Sequence, residues 1–166
     1  MSAMAKETDK SAHRTWSPRL TNHKARHHYF IISAVEAGIA LQGTEVKSIR
    51  DSEVSLDESF ARVENGEVWL VGCHIKPYAF GDARRLPDPV RPRKLLLHRR
   101  QIATLIGQTS QRGVTLVPLS MYFKDGRVKV ELALCRGKQQ FDKREDIRKK
   151  ESRREIDRAM KRRRRD

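Results

Sequence analysis

The tetrapeptide Lys124-Asp125-Gly126-Arg127 turns the chain back on itself and fixes the register of what flanks it. An Asp-Gly pair suits a two-residue type I′ turn, in which both central residues need positive φ. Closing that turn sets Phe123 opposite Val128, Met121 opposite Val130 and Leu119 opposite Leu132, each pair apolar on both sides. Val128, Val130, Leu132 and Leu134 recur at every second position, the period of a strand with one buried face. Upstream, Val114 and Leu116 fall in the opposite phase from Leu119. The shift lies at Val117-Pro118, where proline removes a ladder donor, so a bulge or bend is expected there.

A second reversal at Asn65-Gly66 pairs Val63 with Val68, Ala61 with Leu70, Arg62 with Trp69 and Phe60 with Val71. Apolar residues stand on both faces of this pair, which predicts cover on both sides. Residues 28–34 are β-branched and aromatic and read as a strand, and Gly38 and Gly43 bracket a further short strand at Ile39-Ala40-Leu41. Thr44 is placed to N-cap a short helix through Arg50. A longer helix fits residues 98–111, with Ile102, Leu105 and Ile106 on one face and Gly113 as its stop. Three prolines between Gly81 and Arg93 mark a loop. The fold expected is mainly β with short helices: a small OB-like β-barrel of about six strands. Cys73 and Cys135 sit in apolar runs and are expected to pack as small hydrophobes.

Charge divides the chain. It holds 36 Lys and Arg against 21 Asp and Glu, a net +15. A surplus of that size repels itself and is most readily explained by a polyanionic partner such as nucleic acid. Residues 137–166 carry 14 basic and 7 acidic residues, and Phe141, Ile147, Ile156, Ala159 and Met160 are their only apolar content. Such a segment cannot build a core and is expected to be a tail, disordered or loosely helical when free and helical on binding. The organisation expected is a disordered segment at 1–21, an RNA-binding barrel at 22–136 and a basic tail at 137–166. No apolar run approaches the roughly 20 residues of a membrane span. Residues 1–21 mix Lys6, Glu7, Asp9 and Lys10 with small residues, unlike a secretory signal, so a cytoplasmic protein is expected.

Catalytic and metal motifs are missing: there is no Gly-rich phosphate loop, His-Glu-x-x-His or Cys-x-x-Cys. His23 and His27 are four apart, but Lys24 and Arg26 crowd them with positive charge, and His28 opens a strand. The strip from Asn22 to Tyr29 reads better as an RNA-contact edge, where imidazoles stack on bases or bond phosphates. Glu36, beside Gly38 at a turn between strands, is either a solvated carboxylate or an acceptor for base amino groups. No enzyme activity, cofactor or metal is expected.

Four blocks are more specific than any of these signals. They are Asn22-His23-Lys24-Ala25-Arg26-His27-His28-Tyr29-Phe30-Ile31; Glu36-Ala37-Gly38-Ile39-Ala40-Leu41-Gln42-Gly43-Thr44-Glu45-Val46-Lys47-Ser48-Ile49-Arg50; Arg93-Lys94-Leu95-Leu96-Leu97-His98; and Gly137-Lys138-Gln139-Gln140-Phe141-Asp142-Lys143-Arg144. In order and spacing they resemble the SsrA-binding (SmpB) family. The resemblance implies an OB-like barrel that binds the tRNA-like domain of transfer-messenger RNA, one protein per RNA. It also implies entry into stalled ribosomes with the elongation factor that delivers aminoacyl-tRNA, and a basic tail lying in the empty mRNA path beside small-subunit RNA. By motif position, Asn22, His27, Glu36, Leu96 and His98 become RNA contacts, and Phe141, Asp142, Lys143 and Arg144 become tail contacts on the ribosome. Lys24, Arg26 and Tyr29 join the first set and Lys138 the second. Lys47, Arg50, Arg93 and Lys94 are suited to following phosphates. Phe141 stands where the family often has Tyr or His, and His98 where some members have Asn. The competing readings are a generic structured-RNA-binding or ribosomal protein with a non-specific tail, and an RNA-processing enzyme.

Overall fold

A computed structural model describes residues 18–163. The elements run β1 (Leu20–Thr21), α1 (Ala25–His28), β2 (Tyr29–Ile39), α2 (Gly43–Arg50), β3 (Val54–Ser55), β4 (Phe60–Glu64), β5 (Glu67–Val71) and β6 (His74–Ile75). They continue with β7 (Arg93–Leu96), α3 (Arg99–Thr109), β8 (Val114–Lys124), β9 (Arg127–Gly137) and α4 (Gln140–Arg163). Strands β8, β4, β5, β7, β2 and β9 pair in that order, and β9 pairs back to β8, which closes a ring of six. β1 adds to β8, and β3 with β6 forms a separate ribbon. The small barrel expected from the two hairpins is therefore present. Among the described residues no helix is long and apolar enough to cross a membrane.

Both tight turns hold their registers. Asn65 and Gly66 have φ of 51° and 73°, Asp125 and Gly126 have 51° and 74°, so each pair has the two positive φ values a type I′ turn needs. All four pairings expected around Asn65-Gly66 occur. Phe123 faces Val128 and Met121 faces Val130 as well. The third pair is corrected: Leu132 faces Pro118, and the extra residue is Leu119, one position beyond the break expected at Val117-Pro118. The bulge turns Leu119 away from the barrel interior. There it joins Val117, Ala133, Cys135 and Ala25 in a small second core on the outer face of the barrel.

The main core fills the barrel with Ala37, Val68, Leu70, Leu95, Leu116, Met121, Val130 and Leu132, joined by Ile49 from α2 and Leu105 from α3. Both cysteines are free and buried, and burial pushes each thiol up to about 11. The cover expected on both faces of β4–β5 is found on one only, since Phe60 is 42% exposed.

Other readings change at the glycines and caps. Gly38 does not end a strand: β2 runs through it to Ile39, and Ala40 N–H still bonds Lys94 O at 2.9 Å. A Cβ at Gly38 would lie 3.2 Å from Leu96 Cβ, so this glycine admits β7 rather than making a turn. His28 closes α1 instead of opening the strand. α2 is capped by Gln42, not Thr44, because Glu45 reaches back to the Gln42 N–H at 2.8 Å in a capping box. His98 caps α3, which stops at Thr109, four residues short of Gly113. Leu20 and Thr21 are paired strand, so the expected disordered segment is corrected from residue 20 onward, and its first 17 positions lie outside the described residues.

Buried charge fastens α2 to β7. Arg93 is fully buried and donates to Glu45 at 2.8 Å, Cys73 O at 2.6 Å and Pro89 O at 3.0 Å. Arg91 adds bonds of 3.0 and 2.5 Å to the same carboxylate. Burial works to raise the Glu45 pKa, but the bonds from Arg91, Gln42 N–H and Arg93 outweigh it and hold it below the usual range. Arg93 is thus a structural cation and not the phosphate contact its sequence position suggested.

Candidate nucleic-acid interface

The strip before β2 is held by its first residue. Asn22 is 4% exposed, and its Nδ2 donates to Leu56 O at 3.0 Å and Pro118 O at 3.1 Å. Its Oδ1 accepts the Ala25 N–H at 3.0 Å, which fastens α1 against the second core. Asn22 thus clamps the strip that presents Lys24, Arg26 and His27, all exposed, with its own side chain turned into the fold. Lys24 pairs with Asp57 at 3.1 Å. Desolvation, then Lys143, His27 and Lys24, lower the pKa of His28, which favours a neutral imidazole that can both donate and accept. A hollow of about 480 Å³ opens here, lined by Asn22, Lys24, His28, Tyr29, Glu58 and Phe60.

A second, larger hollow of about 780 Å³ gathers the other residues implied by the resemblance. Glu36, Leu96 and His98 line it together, with Gln101, Arg127 and Lys129. Glu36 lies inside β2, so the turn position expected for it is corrected. Its carboxylate accepts the Tyr122 hydroxyl at 2.5 Å and Lys124 Nζ at 3.0 and 3.2 Å. The Tyr122 bond first and the Lys124 bond second hold Glu36 below the ordinary carboxylate range, and the same bond pushes the Tyr122 phenol up to about 12. Arg19 sits over the Tyr122 ring, 4.9 Å from its centre, while pairing with Glu131 at 2.9 Å. The result is an ionised, aimed acceptor beside an exposed Leu96 and a helix-capping His98, with cations from β9 around it.

Lys47 and Arg50 are exposed on α2, their charges over the rings of Tyr78 (5.1 Å) and Phe123 (5.6 Å). Lys94 is half-exposed and paired with Glu67. The Lys138 side chain is 8% exposed, bonded to Arg26 O at 3.0 Å and to Asp146, and 4.9 Å from the Phe30 ring centre. It roots α4 on the body instead of reaching outward. Asp142 accepts the Gln139 N–H at 3.2 Å and caps that helix, with Lys143 half-exposed and Arg144 exposed beside it. Tyr122, Lys124, Lys129 and Arg127 escaped the sequence reading. Their signal was the outward phase of the Asp125-Gly126 hairpin, opposite Met121 and Val130.

The family model for SmpB protein matches residues 19–162. This chain belongs to the SmpB family. It is 58% identical to an SsrA-binding protein of Acetivibrio thermocellus over 140 residues, covering 84% of this chain and 90% of that one. A second SsrA-binding protein, from Desulforudis audaxviator, is 51% identical over 156 residues, covering 94% and 97%. A solved structure described as "tmRNA-SmpB: a journey to the center of the bacterial ribosome" superposes with a TM-score of 0.64 at 48% identity, covering 79% of this chain and 95% of that one. Family membership thus rests on nearly the whole described chain.

Proposed function

We propose that this protein binds the tRNA-like domain of transfer-messenger RNA through its barrel and brings it to stalled ribosomes for trans-translation, where its basic tail occupies the empty mRNA channel. The observation that carries this reading is the convergence of Glu36, Leu96 and His98, distant in sequence, on one hollow rimmed by Arg127 and Lys129. Cations there follow phosphates, while a fixed carboxylate rejects phosphate and accepts base or sugar donors, which is how a surface distinguishes one folded RNA from a uniform duplex. One copy per RNA and delivery with the elongation factor that carries aminoacyl-tRNA belong to the same proposal. So do a cytoplasmic location and the absence of catalysis. The tail contacts proposed are Phe141, Lys143 and Arg144, with Asp142 shaping the helix that bears them.

Titration of the protein with a tRNA-like RNA and with a plain duplex of equal length, at several salt concentrations, tests it. The tRNA-like RNA should bind tighter, with log affinity falling by roughly 3 to 5 per log unit of salt for four to six phosphate contacts. Equal affinity for both RNAs would favour the generic RNA-binding reading.

A further inference from the structure

The loop between β6 and β7 is built unlike an ordinary surface connection. Two of its four prolines, Pro77 and Pro87, line a narrow cleft together with Tyr78 and with Thr44 and Ser48 of α2. Two short turns shape its outer part: Gly81 N–H bonds Tyr78 O at 3.0 Å, and Arg85 N–H bonds Asp82 O at 2.8 Å. Asp82 Oδ1 accepts the Arg84 N–H at 3.1 Å and its other oxygen lies 3.8 Å from Arg85, while Asp88 accepts the Val90 N–H, so both loop carboxylates are engaged in shaping it. The loop is closely packed at Gly81, where a Cβ would lie 2.6 Å from the end of the Leu86 side chain and 3.2 Å from Tyr78 O. Phe80, 88% exposed, stands in the first of these turns, in edge-to-face contact with Tyr78 at 5.7 Å and 64°. Lys47 lies over Tyr78 at 5.1 Å, and Arg84 and Arg85 of the same loop are exposed.

A phenyl ring presented almost entirely to water gains nothing for the fold. Here a loop shaped by its own hydrogen bonds carries it, on a second aromatic ring, with Lys47 over that ring and Arg84 and Arg85 exposed on the same loop. That is the layout of a stacking platform, an aromatic face for a base with positive charge for the phosphates beside it. We infer that Phe80, backed by Tyr78 and flanked by Lys47, Arg84 and Arg85, is a separate binding site for one unpaired nucleobase of an RNA partner. It shares no residue with the Glu36 hollow. The inference rests on the RNA-binding function proposed above, and the base can belong to transfer-messenger RNA or to ribosomal RNA, since the recognising chemistry is the same.

The full-length protein and its Phe80→Ala, Phe80→Trp and Phe80→Leu variants are titrated with transfer-messenger RNA, with ribosomes stalled at an mRNA end, and with a single-stranded oligoadenylate. Phe80→Ala should weaken one of the two large partners by roughly five- to a hundredfold, the value of one stacked base. Loss for transfer-messenger RNA alone, or for ribosomes alone, names the source of the base. Phe80→Trp should restore binding, and the introduced indole should be quenched by oligoadenylate beyond the signal of Trp16 and Trp69 in the parent. Phe80→Leu separates stacking from mere apolar contact and should behave like Phe80→Ala. Parental affinity of Phe80→Ala for both large partners, or full rescue by Phe80→Leu, overturns the site and leaves the Glu36 reading intact. A parent that binds neither RNA partner overturns both.

Discussion

The barrel and the C-terminal helix carry the same sign of charge in opposite ways. In the body, charge is built into the architecture: Arg93 and Glu45 are buried against each other, Asn22 clamps the basic strip, and Tyr122 with Lys124 fixes Glu36. In α4, charge is merely carried. Ile147, Ile156 and Met160 on it are 45%, 56% and 65% exposed, and its root is held by Lys138. A 24-residue helix spans about 36 Å, so this arm reaches far beyond the barrel while contributing nothing to its core. The difference teaches that the body holds its charges in fixed geometry, whereas the arm carries its charges on a helix that has no core behind it.

The largest effect should come from breaking the body's buried ion pair. Glu45→Ala leaves Arg93 buried without its partner and should cost about 3–5 kcal/mol, read by denaturant or thermal unfolding. Removing residues 140–166 should leave the unfolding transition nearly where it was; a comparable loss of stability would erase the contrast between the regions. The acid limb carries a sign as well. The folded Glu45 pKa is depressed, so its contribution is present above the unfolded carboxylate pKa of roughly 4.3 and is lost as pH falls through the folded value. The stability gap between the parent and Glu45→Gln should therefore close as pH drops below about 4.

Recognition by the body comes next in size. Glu36→Ala should weaken tRNA-like RNA by about tenfold, the scale of a hydrogen bond to a charged group, and leave random duplex binding level or slightly stronger. Tyr122→Phe, which removes only the hydroxyl that orients Glu36, should lose part of the same factor, and the double variant should be no worse than Glu36→Ala alone. Additive losses would mean that the two residues act separately. Smallest of all, Lys138→Ala should lower amide protection over residues 140–146 only a few-fold, as befits one partly exposed ion pair, without moving the global transition.

Much of this was legible in the residues. Asn65-Gly66 and Asp125-Gly126 specify strand register chemically, and both hairpins formed around them. Gly38 misled because a glycine that makes room for Leu96 looks in sequence like a glycine that makes a turn. Thr44 misled because Gln42 can cap as well, once Glu45 returns the bond, and the Thr44 hydroxyl is left buried without a partner. Motif position grouped Asn22 and Lys138 with contact residues, but burial is set by chain segments far away: Leu56 and Pro118 for the first, Arg26 for the second. No local pattern contains those distances. The hollow shared by Glu36, Leu96 and His98 was invisible for the same reason, since three separate elements build it.

The division of labour between body and arm is tested most directly by replacing Asp142, Lys143 and Arg144 together with Ala and measuring two things on one preparation. These are affinity for transfer-messenger RNA in solution and the rate of peptide tagging on reconstituted ribosomes stalled at an mRNA end. Phe141→Ala and Phe141→Tyr run beside it, the first expected to slow tagging by roughly five- to a hundredfold through lost stacking, the second to be tolerated. The expected result is solution affinity close to parental with tagging strongly reduced, most of all in the triple variant. Tagging at the full rate, or a loss of solution affinity equal to the loss of tagging, would contradict it.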